Sequence, residues 1–188
     1  MALIYAGITF ETREISLRNK PLSMLALSPK GTVPVLYCEG GRVIDESLNI
    51  MLWSLSQSDS QDWFLPTNRQ EILAVIQKND QEFKPLLDRY KYPDRYIDSQ
   101  GAFEKAIEQH IKPLSDRLLE NRYLLGASLS LADIAIFPFV RQFVRVDTVH
   151  FEALSLYRIN EWLNELMTME IYVQAMQKYP VWEEKELA

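Results

Sequence analysis

The run Ser28-Pro29-Lys30-Gly31-Thr32-Val33-Pro34-Val35-Leu36 constrains this chain more than any other stretch. Pro34 stands where an apolar strand begins. Proline has no N–H to give to a ladder, so it belongs at a strand start or an edge. That makes Pro34–Cys38 the entry strand of a hairpin, with Arg42–Asp45 returning around Glu39-Gly40-Gly41. A cis Val33–Pro34 bond would fold the chain here and leave the Val33 N–H and C=O outside the sheet. Main-chain groups in that state can pair with an extended peptide laid alongside as an added strand.

Beyond the hairpin, Glu46-Ser47 opens a helix over Ser47–Ser56, with Leu48, Met51, Leu52 and Leu55 on one face. A serine near a helix start leaves N–H donors free to hold a carboxylate, and the helix dipole favours that anion. Glu46 beside it suits an ammonium. A free edge next to an amino-acid clamp fits a short γ-linked peptide better than a nucleotide. The plainer alternative is a helix cap with an acidic neighbour. The two are compatible, because several N–H groups at a helix start need partners.

These residues resemble the glutathione-site signature of the glutathione transferase superfamily. Leu17-Arg18-Asn19-Lys20-Pro21, then Ser28-Pro29 and Val33-Pro34-Val35-Leu36, are most similar to the omega class, as is Asp133-Ile134-Ala135-Ile136-Phe137-Pro138-Phe139 further on. The resemblance implies a thioredoxin-like α/β domain over residues 1–57 and an all-α helical-bundle domain over 67–188, with the site in the cleft between them. It implies that Lys20, Val33, Pro34, Glu46 and Ser47 bind glutathione, with Lys20 on the glycyl carboxylate. It also implies glutathione as co-substrate, a small electrophilic or disulfide substrate, and a homodimer. Transfer of glutathione and thiol-transferase reduction of a disulfide both remain open. So does a non-catalytic interaction protein of the same fold.

Met1–Ile8 reads as the tail of an amphipathic helix, with Gly7 as the residue just past its end. Glu11–Leu17 alternates like a strand. Relatives begin with a strand, then a loop carrying a catalytic Ser, Tyr or Cys, then the front of this helix. The expectation is a thioredoxin-like domain lacking its first strand, with the catalytic residue upstream of Met1 on a longer native chain. The competing expectation is a truncated, inactive form.

Composition narrows the partners. A net charge of −6 argues against non-specific binding to nucleic acid or anionic membranes. The most apolar stretch, Leu129–Val140, is interrupted by Ser130, Asp133 and Pro138, which argues against a membrane span. Cys38 is the one cysteine, so no intrachain disulfide forms, in keeping with a reducing cytoplasm. Neither His110 nor His150 has a metal-ligand partner at useful spacing, so no metal is expected.

Gln57–Pro66 reads as a linker ending in Trp63, Phe64, Leu65 and Pro66. From Asn68 the periodicity is helical, with no internal repeat recognised. Leu131–Val146 is apolar nearly all round and should be a buried centre. Helices near Ala153–Met167 and Glu170–Lys178 follow, the last ended by Pro180. Ser130 and Asp133 read as a capping box, with no base marked for Ser130 as a nucleophile; the resemblance implies that this box nucleates the second domain. Cys38 reads as structural and His110 as a surface residue. For Tyr90, Tyr92, Tyr96 and Arg141, an acceptor pocket and ordinary packing are both open.

Overall fold

A computed structural model describes residues 1–65 and 67–184. Pro66, the last residue of the expected linker, and residues 185–188 of the expected second domain lie outside the described residues. In chain order the elements are α1 (Ala2–Tyr5), α2 (Leu22–Leu27), β1 (Val35–Tyr37), β2 (Val43–Asp45), α3 (Ser47–Gln57), α4 (Arg69–Lys78) and α5 (Lys84–Lys91). Then follow α6 (Ala102–Ala106), α7 (Lys112–Glu120), α8 (Leu131–Val146), α9 (Thr148–Glu152), α10 (Tyr157–Thr168) and α11 (Glu170–Ala175). The chain divides into two compact units. One is residues 1–60 with the segment from Glu170 onward; the other is Gln61–Met169.

The first unit is built on the expected hairpin. β1 and β2 pair antiparallel, Val35 with Asp45, Leu36 with Ile44 and Tyr37 with Val43. Gly40 and Gly41, at φ +87° and +88°, turn the chain between them, and left-handed backbone there demands glycine. Ile44 of β2, Ile50 and Leu55 of α3 and Ala2 of α1 are its buried apolar side chains. α3 packs on α1 and β2, and α11 packs on α1.

Glu11–Leu17 is not a regular strand. It holds two isolated bridges, Glu14 with Val181 in parallel and Ser16 with Asn19. Its alternation puts too little apolar surface on one face to anchor a strand: Ile15 is half-buried, and Leu17 is exposed.

The second unit centres on α8, where ten of sixteen residues are buried, so its all-round apolar pattern does describe a core helix. Ser130 and Asp133 form the reciprocal capping box at its start. Trp63, expected in the linker, is buried in this unit, and its carbonyl accepts the Leu131 N–H at 2.8 Å. The expected helix Ala153–Met167 is corrected to two, α9 and α10. Ser155 at φ +55° breaks the run between them, a backbone no helix continues through. α11 stops at Ala175, short of Lys178 and Pro180.

Two π-helical turns, Asn79–Phe83 and Ile107–Ile111, interrupt otherwise continuous helix. Each is followed by Lys-Pro, and the sequence around them repeats: Gln81-Glu82-Phe83-Lys84-Pro85-Leu86-Leu87-Asp88-Arg89 against Gln109-His110-Ile111-Lys112-Pro113-Leu114-Ser115-Asp116-Arg117. The absence of a repeat is therefore corrected locally. The physical link is proline, which cannot donate to the carbonyl four residues back and collides with it. A wider turn just before it lets the helix absorb that collision and continue.

Candidate functional site

The open end of the hairpin is where the chemistry collects. Val35 pairs with Asp45 as the last rung of the ladder. Both strands leave the sheet there, one through Pro34 and Val33, the other through Glu46 and Ser47. The Val33–Pro34 peptide is cis, as expected. Val33 lies outside the ladder and is 48% exposed.

Lys20 reaches this end through a turn. Gly31 has φ +61°, and its N–H donates to the Ser28 carbonyl at 2.9 Å. A Cβ on Gly31 would meet the Lys20 Nζ at 3.5 Å and the Leu25 Cδ2 at 3.1 Å. The Lys20 ammonium therefore rests against the bare face of Gly31, two residues before Val33. One residue earlier, Lys30 donates to Glu46 Oε1 at 3.3 Å and lies 3.1 Å from Asp45 Oδ2. Hydrogen bonds to Asp45 and then Glu46 hold the Lys30 ammonium above the usual lysine range. The pair ties the Ser28–Val33 turn to the start of α3. Lys20, Val33, Pro34, Glu46 and Ser47 are thus brought to one end of one hairpin.

The start of α3 differs from its sequence reading in one respect. The N-cap position is Glu46, at φ +68° and ψ +129°, and no side-chain cap hydrogen bond closes it. Ser47 is the first helical residue, so the cap reading of its hydroxyl does not hold. A non-glycine residue at positive φ stores about 1–3 kcal/mol of backbone strain. Beside the first turn of α3, the Glu46 carboxylate accepts from the Lys30 ammonium.

Lys30 and Asp45 are the participants that sequence reading missed. A lysine two residues after a turn serine carries no signal until the loop is folded beside the Asp45-Glu46 pair. With them the site holds two ammonium groups and two carboxylates around a free main-chain edge and an open helix start. Such a set suits a zwitterionic, extended peptide.

Other candidates lie elsewhere. Cys38 is half-buried and sits one residue past β1, not on it; its N–H donates to the Arg42 carbonyl at 2.8 Å. His110 is buried at 5% exposure, correcting its surface assignment. It sits in the second π turn, its ring 5.5 Å from that of Phe83 and its Nε2 3.8 Å from Glu82 Oε2. Burial, and then Lys78, push its pKa below the usual histidine range, against the pull of Glu82. His150 is exposed and stacks on Phe103 at 4.2 Å. Tyr90 packs between Phe103 and Phe143 at 5.0 and 5.1 Å. Tyr92 lies under Lys91 and Arg95, and Tyr96 under Arg89. For the tyrosines, packing and cation–π contacts are what the structure contains. Among the described residues, no group of three or more His, Cys, Asp or Glu side chains is arranged to hold a metal ion.

Both parts of the chain match known protein families. Residues 1–57 match the family model of the glutathione S-transferase N-terminal domain, and residues 74–165 that of the C-terminal domain. Glutathione S-transferase omega-1 of Sus scrofa is 27% identical over 178 residues, spanning 93% of this chain and 68% of that protein. Elongation factor 1-gamma 2 of Oryza sativa subsp. japonica is 26% identical over 147 residues, spanning 72% of this chain and 35% of that protein. A sphingomonad glutathione S-transferase, solved in complex with glutathione, superposes with a TM-score of 0.79 at 19% identity, covering 93% of this chain and 89% of its own. At that identity the likeness speaks for the fold alone. Two family models matched in order along most of the chain, with a thioredoxin-like hairpin unit in the first and a helical unit in the second, establish that this chain belongs to the glutathione transferase superfamily and is omega-like within it.

Proposed function

We propose that this chain binds glutathione at the open end of its hairpin and transfers it to an electrophile or uses it to reduce a disulfide. The family's use of glutathione supports the ligand. The observation that carries the reading is the convergence of Lys20, the Val33 main chain outside the ladder, Glu46 and the start of α3 without a side-chain cap on one hairpin end. In this reading the Val33 N–H and C=O pair with the cysteinyl main chain. Lys20 takes the glycyl carboxylate as a point charge. The first N–H groups of α3, with Ser47, hold the γ-glutamyl carboxylate, and Glu46 accepts from its ammonium.

The chemistry follows from the bound thiol. Loss of its proton gives the thiolate, which is the attacking species. Attack on an electrophilic carbon forms a C–S bond and expels a leaving group. Attack on a disulfide sulfur forms a mixed disulfide and releases a thiolate. The protein's part in the described residues is to hold the tripeptide extended with its charged ends pinned. On the same reading it works in the cytoplasm as a homodimer; the single cysteine and the family habit support this.

The test is retention of the chain on immobilised glutathione and calorimetric titration with free glutathione. Saturable binding that Lys20→Ala weakens by about tenfold, the value of one 1.4 kcal/mol contact, supports the reading. No binding favours the second one, a non-catalytic interaction protein of this fold. The likeness to a protein named as an elongation factor, over 72% of this chain, is what speaks for that alternative.

A further inference from the structure

The segment after α11 returns to the strip of chain that carries Lys20. Val181 makes a parallel bridge with Glu14, and the Trp182 N–H donates to the Glu14 carbonyl at 2.7 Å. The Arg13 guanidinium lies over the half-buried Trp182 ring, 4.8 Å from its centre. Two residues on, Glu184 spans the start of α2. Its Oε2 accepts the Leu22 N–H at 3.2 Å and its Oε1 the Ser23 N–H at 3.1 Å.

The contact at α2 is explained by a local deficit. Pro21 is the N-cap of α2 and makes no side-chain cap hydrogen bond, since a proline side chain has no acceptor to offer. The first N–H groups of a helix therefore lack a local partner, and a carboxylate is the partner the helix dipole prefers. At the other contact, the Val181 bridge and the Trp182 N–H tie the returning segment to Glu14. Four residues thus fasten two points of the chain, Glu14 on one side of Lys20 and Leu22-Ser23 on the other. Lys20 sits between these anchors, one residue before Pro21.

We propose that Glu184, with Trp182, is a positioning residue for glutathione recognition: the returning segment braces the strip 14–23 and so fixes the backbone from which Lys20 reaches the glycyl end of the ligand. This rests on the glutathione reading above. The brace acts on one end of the ligand only, because Glu46 and Ser47 stand on a different element. A residue that merely stabilised the fold would affect both ends.

The experiment compares two ligands on the 188-residue chain, glutathione and γ-glutamylcysteine, which lacks the glycine. Calorimetry is run on the unsubstituted chain, Glu184→Ala, Glu184→Gln, Trp182→Ala and the Lys20→Ala/Glu184→Ala pair. The expected result is a rise of about threefold to tenfold in the Kd of glutathione for Glu184→Ala and Trp182→Ala, the size of a lost charge-assisted contact. The Kd for γ-glutamylcysteine stays unchanged. Glu184→Gln recovers part of the loss, and the double variant binds glutathione no worse than Lys20→Ala alone. Equal weakening of both ligands, or no weakening of either, overturns the proposal. If the unsubstituted chain binds neither ligand, the glutathione reading itself falls and the brace falls with it. Binding that Glu184→Ala leaves intact removes only the brace.

Discussion

Two helix starts in this protein share a sequence logic and do opposite things. α8 opens with Ser130, and its capping box is closed on every side. Asp133 is fully buried and accepts from the Leu124 N–H at 2.9 Å, the Ser130 N–H at 3.0 Å, the Ser130 hydroxyl at 2.8 Å and the Trp162 Nε1–H at 3.0 Å. Burial pushes its carboxyl above the usual carboxylate range, against those four donors. α3 opens with Glu46 at positive φ, has no side-chain cap hydrogen bond, and lies at the exposed end of a hairpin. The lesson is that a helix start is an anion site only while its donors are unspent. α8 has spent them on holding the second unit together. α3 has kept them, at a cost in backbone strain.

Breaking the closed start should have the largest effect. Asp133→Ala strands a buried indole N–H, two main-chain N–H groups and a hydroxyl, and each such orphan costs about 1–3 kcal/mol. Urea melts should show a loss of at least ~3 kcal/mol, enough to unfold much of the second unit. A loss under ~1 kcal/mol, the worth of an ordinary cap, would reduce the box to a local feature.

Glu46→Gly should separate strain from function. Glycine accepts φ +68° freely, which offsets its entropic cost of about 0.5–1 kcal/mol, so the melting midpoint should hold or rise. Glutathione affinity should fall about tenfold with the lost carboxylate. A matching fall in stability would mean that the carboxylate, not the backbone, supports the fold.

Ser47→Ala sharpens the contrast. With the hydroxyl outside the cap position, stability should change by less than about 0.5 kcal/mol, while calorimetry shows glutathione binding weakened several-fold. Equal losses in both would restore the cap-only reading.

The smallest effect concerns pH. His110 in the folded chain has a pKa below its usual 6.5, so the unfolded chain takes up the proton first as pH falls. Its contribution to stability is whole above pH 6.5 and is lost progressively below that value. The thermal midpoint should therefore drop between pH 7 and pH 5, and His110→Gln should flatten part of that slope. An identical slope in the variant would show that other groups carry it.

Local signals were legible. Pro34 marked the strand entry because it cannot donate within a sheet. Gly40-Gly41 marked the turn, Glu46-Ser47 a helix start, and Ser130 with Asp133 a cap three residues long. Leu131–Val146 was read to its exact ends, because apolar residues around a full helix leave no other place for it than a core. Lys20 was singled out through resemblance, which carried information that spacing alone does not, whereas Val33 and Pro34 were read from the chemistry of the proline.

What the linear chain determined, then, is a set of features that depend on neighbours within a turn or two: where Pro34 and Gly40-Gly41 bend the backbone, and that α8 is capped from within. Tertiary structure decided the rest. Glu184 caps α2 from 162 residues away, Lys30 crosses to Asp45 and Glu46, and His110 is buried by a π turn that faces another. Each of those contacts joins segments distant in sequence, and no local propensity encodes a partner that only folding brings within bonding distance.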